Sequence, residues 1–126
     1  GKDITIASYG DIAFQALLAA ESLAARGIEA EVLDMYSLKP VDAGAVLSSV
    51  RRTGALLVAE NHQKRNGLAY ELAATLLKSQ PVAFDHLGLD DCFAESGSYS
   101  SMIDKYGFSA AKIAAAAERL LAKPVR

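Results

Sequence analysis

Tryptophan is missing from this sequence, proline occurs only three times, and cysteine once, at Cys92. A single thiol cannot close an internal disulfide, so non-covalent packing must hold the fold. An unpaired cysteine also fits a reducing, cytoplasmic setting. No apolar run approaches the roughly 20 residues that cross a bilayer, so no membrane partner is expected. No secretory leader is legible either, since a strand-like run follows Lys2 and Asp3 at once. The chain does not begin on methionine. A pattern already under way at Gly1 is what a piece of a longer chain would show, and tag removal would also leave a glycine. Charge of one sign is scarce too: the formal net charge is −2. Only Arg51-Arg52 and Lys64-Arg65 are adjacent cations, so there is no basic stripe and nucleic acid is not expected as a partner.

What the sequence does have is apolar material, 52% of 126 residues against 22% charged, enough for one core without a metal or disulfide. A single domain over residues 1–126 is expected. The pattern is strand, turn, helix, repeated. Ile4 to Tyr9 reads as a strand closed by Gly10. Residues 11–26 read as a helix with Ala13, Ala16, Leu17, Ala20, Leu23 and Ala24 on its buried stripe and Gly27 as a left-handed stop. Glu31 to Met35 is a second strand. Asp42 is placed to cap a helix over 43–52 that buries Val46, Leu47 and Val50 and ends at Gly54. Ala55 to Ala59 carries no polar residue, as a strand covered on both faces requires. A helix over 67–79 follows, with Leu68, Leu72 and Leu76 four apart, and then a weaker strand, Val82 to His86. Gly88 to Ser98 reads as a loop and 99–106 as a short helix. The last helix is capped by Ser109 and buries Ile113, Ala116, Ala117 and Leu120. Strands and helices alternating across short connections predict an α/β fold, a parallel sheet with helices on both faces.

In such folds ligands sit beyond the carboxyl ends of the strands, here Tyr9-Gly10-Asp11, Met35-Tyr36-Ser37, Glu60-Asn61-His62 and His86-Leu87-Gly88. Neither phosphate-binding glycine motif is present, and Asp11 at a helix start would repel a phosphate, so helix capping is its expected role. Glu60, Asn61 and His62 form the most suggestive cluster. A carboxylate and an imidazole leaving the central strand could move protons if they lined a pocket. The competing reading is a turn whose polar groups cap the next helix or contact another domain. One Glu and one His fall short of a usual metal set, and nothing in the spacing demands His86 as a further ligand. Asp90-Asp91 beside Cys92 would raise its pKa and blunt it as a nucleophile. Ser96-Gly97-Ser98 is not the elbow of a serine hydrolase. From the residues alone no catalytic, cofactor-binding or metal-binding set is assigned.

The ordered segments nevertheless resemble a known family. Gly1 to Ile6, Ala19-Ala20-Glu21 and Gly27 to Val32 look like the opening of the transketolase carboxy-terminal domain. Ser37-Leu38-Lys39-Pro40-Val41-Asp42 is similar to its Lys-Pro-x-Asp segment, and Thr53-Gly54 with Ala59-Glu60-Asn61-His62 to its third strand and turn. Phe93-Ala94-Glu95-Ser96-Gly97-Ser98 and Lys105-Tyr106-Gly107-Phe108 resemble the tail of true transketolases more than that of 2-oxoacid dehydrogenase beta subunits or deoxyxylulose-phosphate synthases. Asn66-Gly67-Leu68-Ala69 departs from the frequent Gly-Gly-Leu-Gly, and Leu87 to Asp91 from a Gly-x-Pro-Asp turn, both in loops.

The resemblance implies a three-layer α/β/α sandwich with a mostly parallel, five-stranded sheet. It implies a part in moving a two-carbon ketol unit between sugar phosphates, with thiamine diphosphate and Mg held by other domains. The family's Gly-Asp-Gly motif is absent here, and its activating glutamate maps to no position of this chain. The implied partners are other transketolase domains or subunits, in a homodimer or hetero-oligomer, and the implied role is structural. The alternatives are a stand-alone regulatory module or one that binds a small anion at the strand ends, and the equivalent domain of a deoxyxylulose-phosphate synthase or 2-oxoacid dehydrogenase beta subunit.

Overall fold

The structure, a computed structural model, describes residues 1–122. It comprises β1 (Ile4–Ser8), α1 (Asp11–Ala24), β2 (Ala30–Asp34), α2 (Ala43–Thr53), β3 (Ala55–Gln63), α3 (Leu68–Ser79), β4 (Ala83–Leu89), α4 (Tyr99–Lys105) and α5 (Ala110–Ala122). The strands pair in the order β2-β1-β3-β4, and every pairing is parallel. β1 runs to β2 on one side and β3 to β4 on the other, so the strand order reverses between β1 and β3.

Alternating residues of the strands feed two cores, one on each face. Ile4, Ile6, Leu57 and Ala59 pack under α1 and α5 with Ile12, Ala16, Leu23, Ile113, Ala117 and Leu120. Ala7, Leu56 and Val58 pack under α2 and α3 with Val46, Val50, Leu68, Leu72 and Leu76. The caps read from the sequence are in place at several ends: the Asp42 carboxylate accepts from the Ala45 amide at 2.9 Å, and Gly27 and Gly54 hold φ of 81° and 69°. Near the amino ends of the strands, Thr5 bonds Ser49 at 2.6 Å and Thr53 at 2.7 Å. Ser49 and Arg52 both donate to Glu31, which ties α2 to β1 and β2.

Several expectations need correction. Among the described residues the sheet has four strands rather than five. The fifth was implied by resemblance only. The polar residues beyond β4, from Asp90 on, are exposed and pair with no strand. β4 itself runs on through Gly88 and Leu89. The buried stripe of α1 is Ile12, Ala13, Ala16, Ala19 and Leu23, while Leu17 and Ala24 face solvent. Asp11 does not cap α1. It stands in the first turn after Gly10, without a side-chain cap bond. Ser109 precedes α5 and its carbonyl accepts the Ile113 amide at 2.9 Å, but the one bond its hydroxyl makes among the described residues is to Asp104 at 2.7 Å. The Ala110 amide is instead taken by the side chain of Gln15, reaching across from α1 at 3.0 Å.

Candidate functional site

β3 carries its side chains alternately to the two faces, so Leu56, Val58 and Glu60 share the face covered by α3. The apolar run ends at Ala59, but the strand does not: it continues to Gln63 through a shift in pairing with β4. Glu60 is therefore inside, fully buried at the carboxyl end of the central strand. Its carboxylate accepts the Leu68 amide at 2.9 Å and the Ala69 amide at 3.1 Å, the first free donors of α3. The Tyr9 hydroxyl, at the end of β1, donates to it at 3.2 Å. His86 Nε2, from β4, stands 2.9 Å from its Oε1, within ion-pair distance though off the line of a good hydrogen bond. Gly67 makes room for this arrangement: a β-carbon there would lie 2.7 Å from the carboxylate carbon.

Two opposing effects set the charge state of Glu60. Burial pushes its pKa up. The contact with His86, the two amides and the His86 charge outweigh that and hold it below the ordinary carboxylate value. The same carboxylate raises its neighbour. Burial, the Glu60 charge and the hydrogen bond to Glu60 together push Tyr9 up to about 12.

Asn61 and His62 lie outside this buried cluster. Both are exposed. Asn61 donates to Asp11 at 3.0 Å, and the Tyr99 hydroxyl is held beside the same Asp11 carboxylate, so one bridge spans β3, α1 and α4. His62 Nδ1 lies 2.7 Å from the carbonyl of its neighbour Gln63. The three residues thus divide: Glu60 secures α3 on one face, Asn61 secures α1 and α4 on the other, and His62 stays at the surface. Cys92 is exposed, and its carbonyl accepts from Gln63 Nε2 at 2.8 Å. The sequence pointed to Glu60 through its place after an apolar strand. It missed Tyr9 and Gly67, although the alternation from Leu56 through Glu60 and the glycine at the next helix start were the available signals.

The described residues do not fit a diphosphate-metal site. None of them form a group of three or more His, Cys, Asp or Glu side chains able to hold a metal ion. The amides at the start of α3, which could otherwise bind an anion, already hold Glu60. A cavity of about 510 Å³ lies elsewhere, at the end of the edge strand β2.

Against known proteins, residues 1–113 match the family model described as transketolase, C-terminal domain. A 6-deoxy-6-sulfo-D-fructose transketolase subunit of Clostridium sp. is 42% identical over 120 residues, 95% of this chain and 37% of that protein. An uncharacterized transketolase family protein of Sinorhizobium fredii is 43% identical over 118 residues, 91% of this chain and 34% of that protein. A solved structure described as a split gene transketolase, inactive beta4 tetramer, superposes with a TM-score of 0.91 at 40% identity, over 96% of this chain and 40% of that one. The chain spans about a third of the length of these two relatives.

Proposed function

The chain belongs to the transketolase family through its carboxy-terminal domain, and from that premise we propose that it is the non-catalytic domain of an enzyme transferring a two-carbon ketol unit between sugars. Thiamine diphosphate and Mg would be bound by the other domains or subunits of that enzyme. This domain would supply the surface on which they assemble, with further copies of itself or with a complementary subunit. The name of the Clostridium relative, a sulfofructose transketolase subunit, supports a sugar substrate but not one confined to sugar phosphates.

The observation that carries this reading is the internal commitment of Glu60. In a doubly wound sheet the place where strand order reverses is the usual ligand crevice. Here the acid at that place is buried under Gly67 and bound by two amides, a tyrosine and a histidine of the same chain. A group so engaged stabilises a fold and is not itself free for proton transfer to a substrate. For the same reason a small anion finds no open donors at α3, which weighs against the stand-alone binding module.

The test is calorimetric titration of thiamine diphosphate with Mg into the chain alone, followed by a ketol-transfer assay with and without a transketolase subunit bearing the Gly-Asp-Gly motif. The expected result is no cofactor binding and no turnover alone, with turnover on adding that subunit. Tight cofactor binding by this chain would overturn the proposal.

A further inference from the structure

β4 lies at one end of the sheet: among the described residues it pairs with β3 on one side and with no strand on the other. Its bonds to β3 show which of its peptide groups face the open side. The Ala83 amide donates to the Gly54 carbonyl at 3.3 Å, and the Leu89 carbonyl accepts the Lys64 amide at 3.0 Å. The N–H and C=O of one residue point to the same side of a strand, and the side alternates from residue to residue. Ala83, Asp85, Leu87 and Leu89 are therefore turned to β3, and Phe84, His86 and Gly88 to the open edge. The middle one of these outward amides is taken. The His86 N–H donates to Oδ1 of Asp85, the residue before it, at 2.8 Å.

Water can satisfy an amide on an open edge, so this bond is not needed to spare an orphaned donor. What it changes is whether another strand can use that donor. A row of outward N–H and C=O groups is a template for strand addition, and the same edge of a second copy is self-complementary to it. Around a two-fold axis the two β4 edges run antiparallel. With His86 on the axis, Phe84 of each copy meets Gly88 of the other, and each opposed pair would exchange both its bonds. The central pair cannot do so while both His86 amides are held by Asp85. Two carboxylates brought to the middle of the joint would also repel each other.

We propose that Asp85 is an edge guard: its carboxylate occupies the central outward amide of β4 and keeps a second copy of the chain from extending the sheet. Assembly of the domain is thereby left to its helical faces. The guard acts on the edge whether or not the domain serves ketol transfer.

The test is amide hydrogen exchange, with a dilution series of ¹⁵N-correlation spectra, on the full chain as wild type, Asp85→Ala and Asp85→Asn. Asparagine keeps an oxygen able to accept the His86 amide and removes the charge, so it separates the bond from any electrostatic role of Asp85. In dilute Asp85→Ala the His86 amide should exchange about tenfold faster than in wild type, the weight of one charge-assisted hydrogen bond. As concentration rises, the amides of Phe84, His86 and Gly88 should shift and gain protection in Asp85→Ala alone. Asp85→Asn should follow wild type in both respects. Asp85→Val, which lacks an acceptor but suits a strand, reads the same effect if alanine unsettles the fold. Observing the edge amides themselves keeps association through any other face out of the result. Three outcomes would each overturn the guard: equal His86 exchange with and without an acceptor at position 85, edge amides indifferent to concentration in the acceptor-free variants, or Asp85→Asn associating as they do. None of them bears on turnover in the reconstitution assay.

Discussion

At position 60 a carboxylate has been taken fully out of water, which is tolerated only when its hydrogen-bonding capacity is met. The Leu68 and Ala69 amides and the Tyr9 hydroxyl meet much of it, and His86 stands at ion-pair distance from the same carboxylate. Glu60→Gln removes the charge and turns an amino group toward donors, so it should cost about 2–4 kcal/mol in urea denaturation. The pH dependence has a definite sign. The folded-state pKa of Glu60 lies below its ordinary value of 4.5, so its contribution is present above that pH and is lost as pH falls through it toward the lowered value. Denaturation midpoints measured down the acid limb should therefore fall less steeply in Glu60→Gln than in wild type. Glu31 adds to the same limb, its pKa lowered chiefly by the Ser49 hydroxyl. At the alkaline end the sign reverses. Tyr9 is raised from 10.0 to about 12, so the neutral phenol stabilises the fold below pH 10 and that contribution is lost between pH 10 and about 12. Tyr9→Phe should flatten this alkaline limb. If both variants keep the wild-type pH profile, the Glu60 cluster does not govern stability as argued.

Among the elements, α3 depends most on a close approach. Gly67→Ala would place a β-carbon against the Glu60 carboxylate, 2.7 Å from its carbon, and the carboxylate can move away only by giving up its bonds from the Leu68 and Ala69 amides. A cost of about 1–3 kcal/mol is expected, shrinking in a Glu60→Ala background where the clash is gone. A double-mutant cycle of denaturation midpoints measures that coupling, and additive losses would refute it. α5 depends on a cap supplied from a distance. Gln15→Ala should cost about 0.5–1.5 kcal/mol by orphaning the Ala110 amide. The order and type of the long elements were legible in the sequence because the strand runs are β-branched and the helix ends are marked by Asp42, Gly27 and Gly54. Other details were hidden for identifiable reasons. In an alanine-rich helix such as α1 several stripes fit equally well, so Ile12 and Ala19 were passed over in favour of Leu17. A strand that ends on polar residues looks shorter than it is, which hides the extension of β3 from Ala59 to Gln63. Caps formed across the fold, as from Gln15 to α5, leave no local pattern to read.

For the whole molecule, the two faces of the sheet are well buried while parts of the helical exterior are unusually apolar. α1 turns Ile12, Ala13, Ala16, Ala19 and Leu23 inward, yet Phe14, Leu17 and Leu18 on its outer side are exposed. A chain that functions alone gains nothing from such a face, whereas a domain that assembles with others needs one. The sequence pointed to this only through the family resemblance, because apolar residues on both sides of a helix do not show which side is covered. If the outer face of α1 is an assembly surface, the isolated chain should self-associate at high concentration. The double variant Phe14→Ser, Leu17→Lys should shift it toward monomer in sedimentation velocity. The same variant should leave thermal stability nearly unchanged, because neither side chain belongs to a core and exposed substitutions usually move stability by less than about 0.5 kcal/mol. A monomeric wild-type chain, or a variant that associates equally well, would show that this face is not used. A large fall in melting temperature would mean that Phe14 and Leu17 pack inward after all.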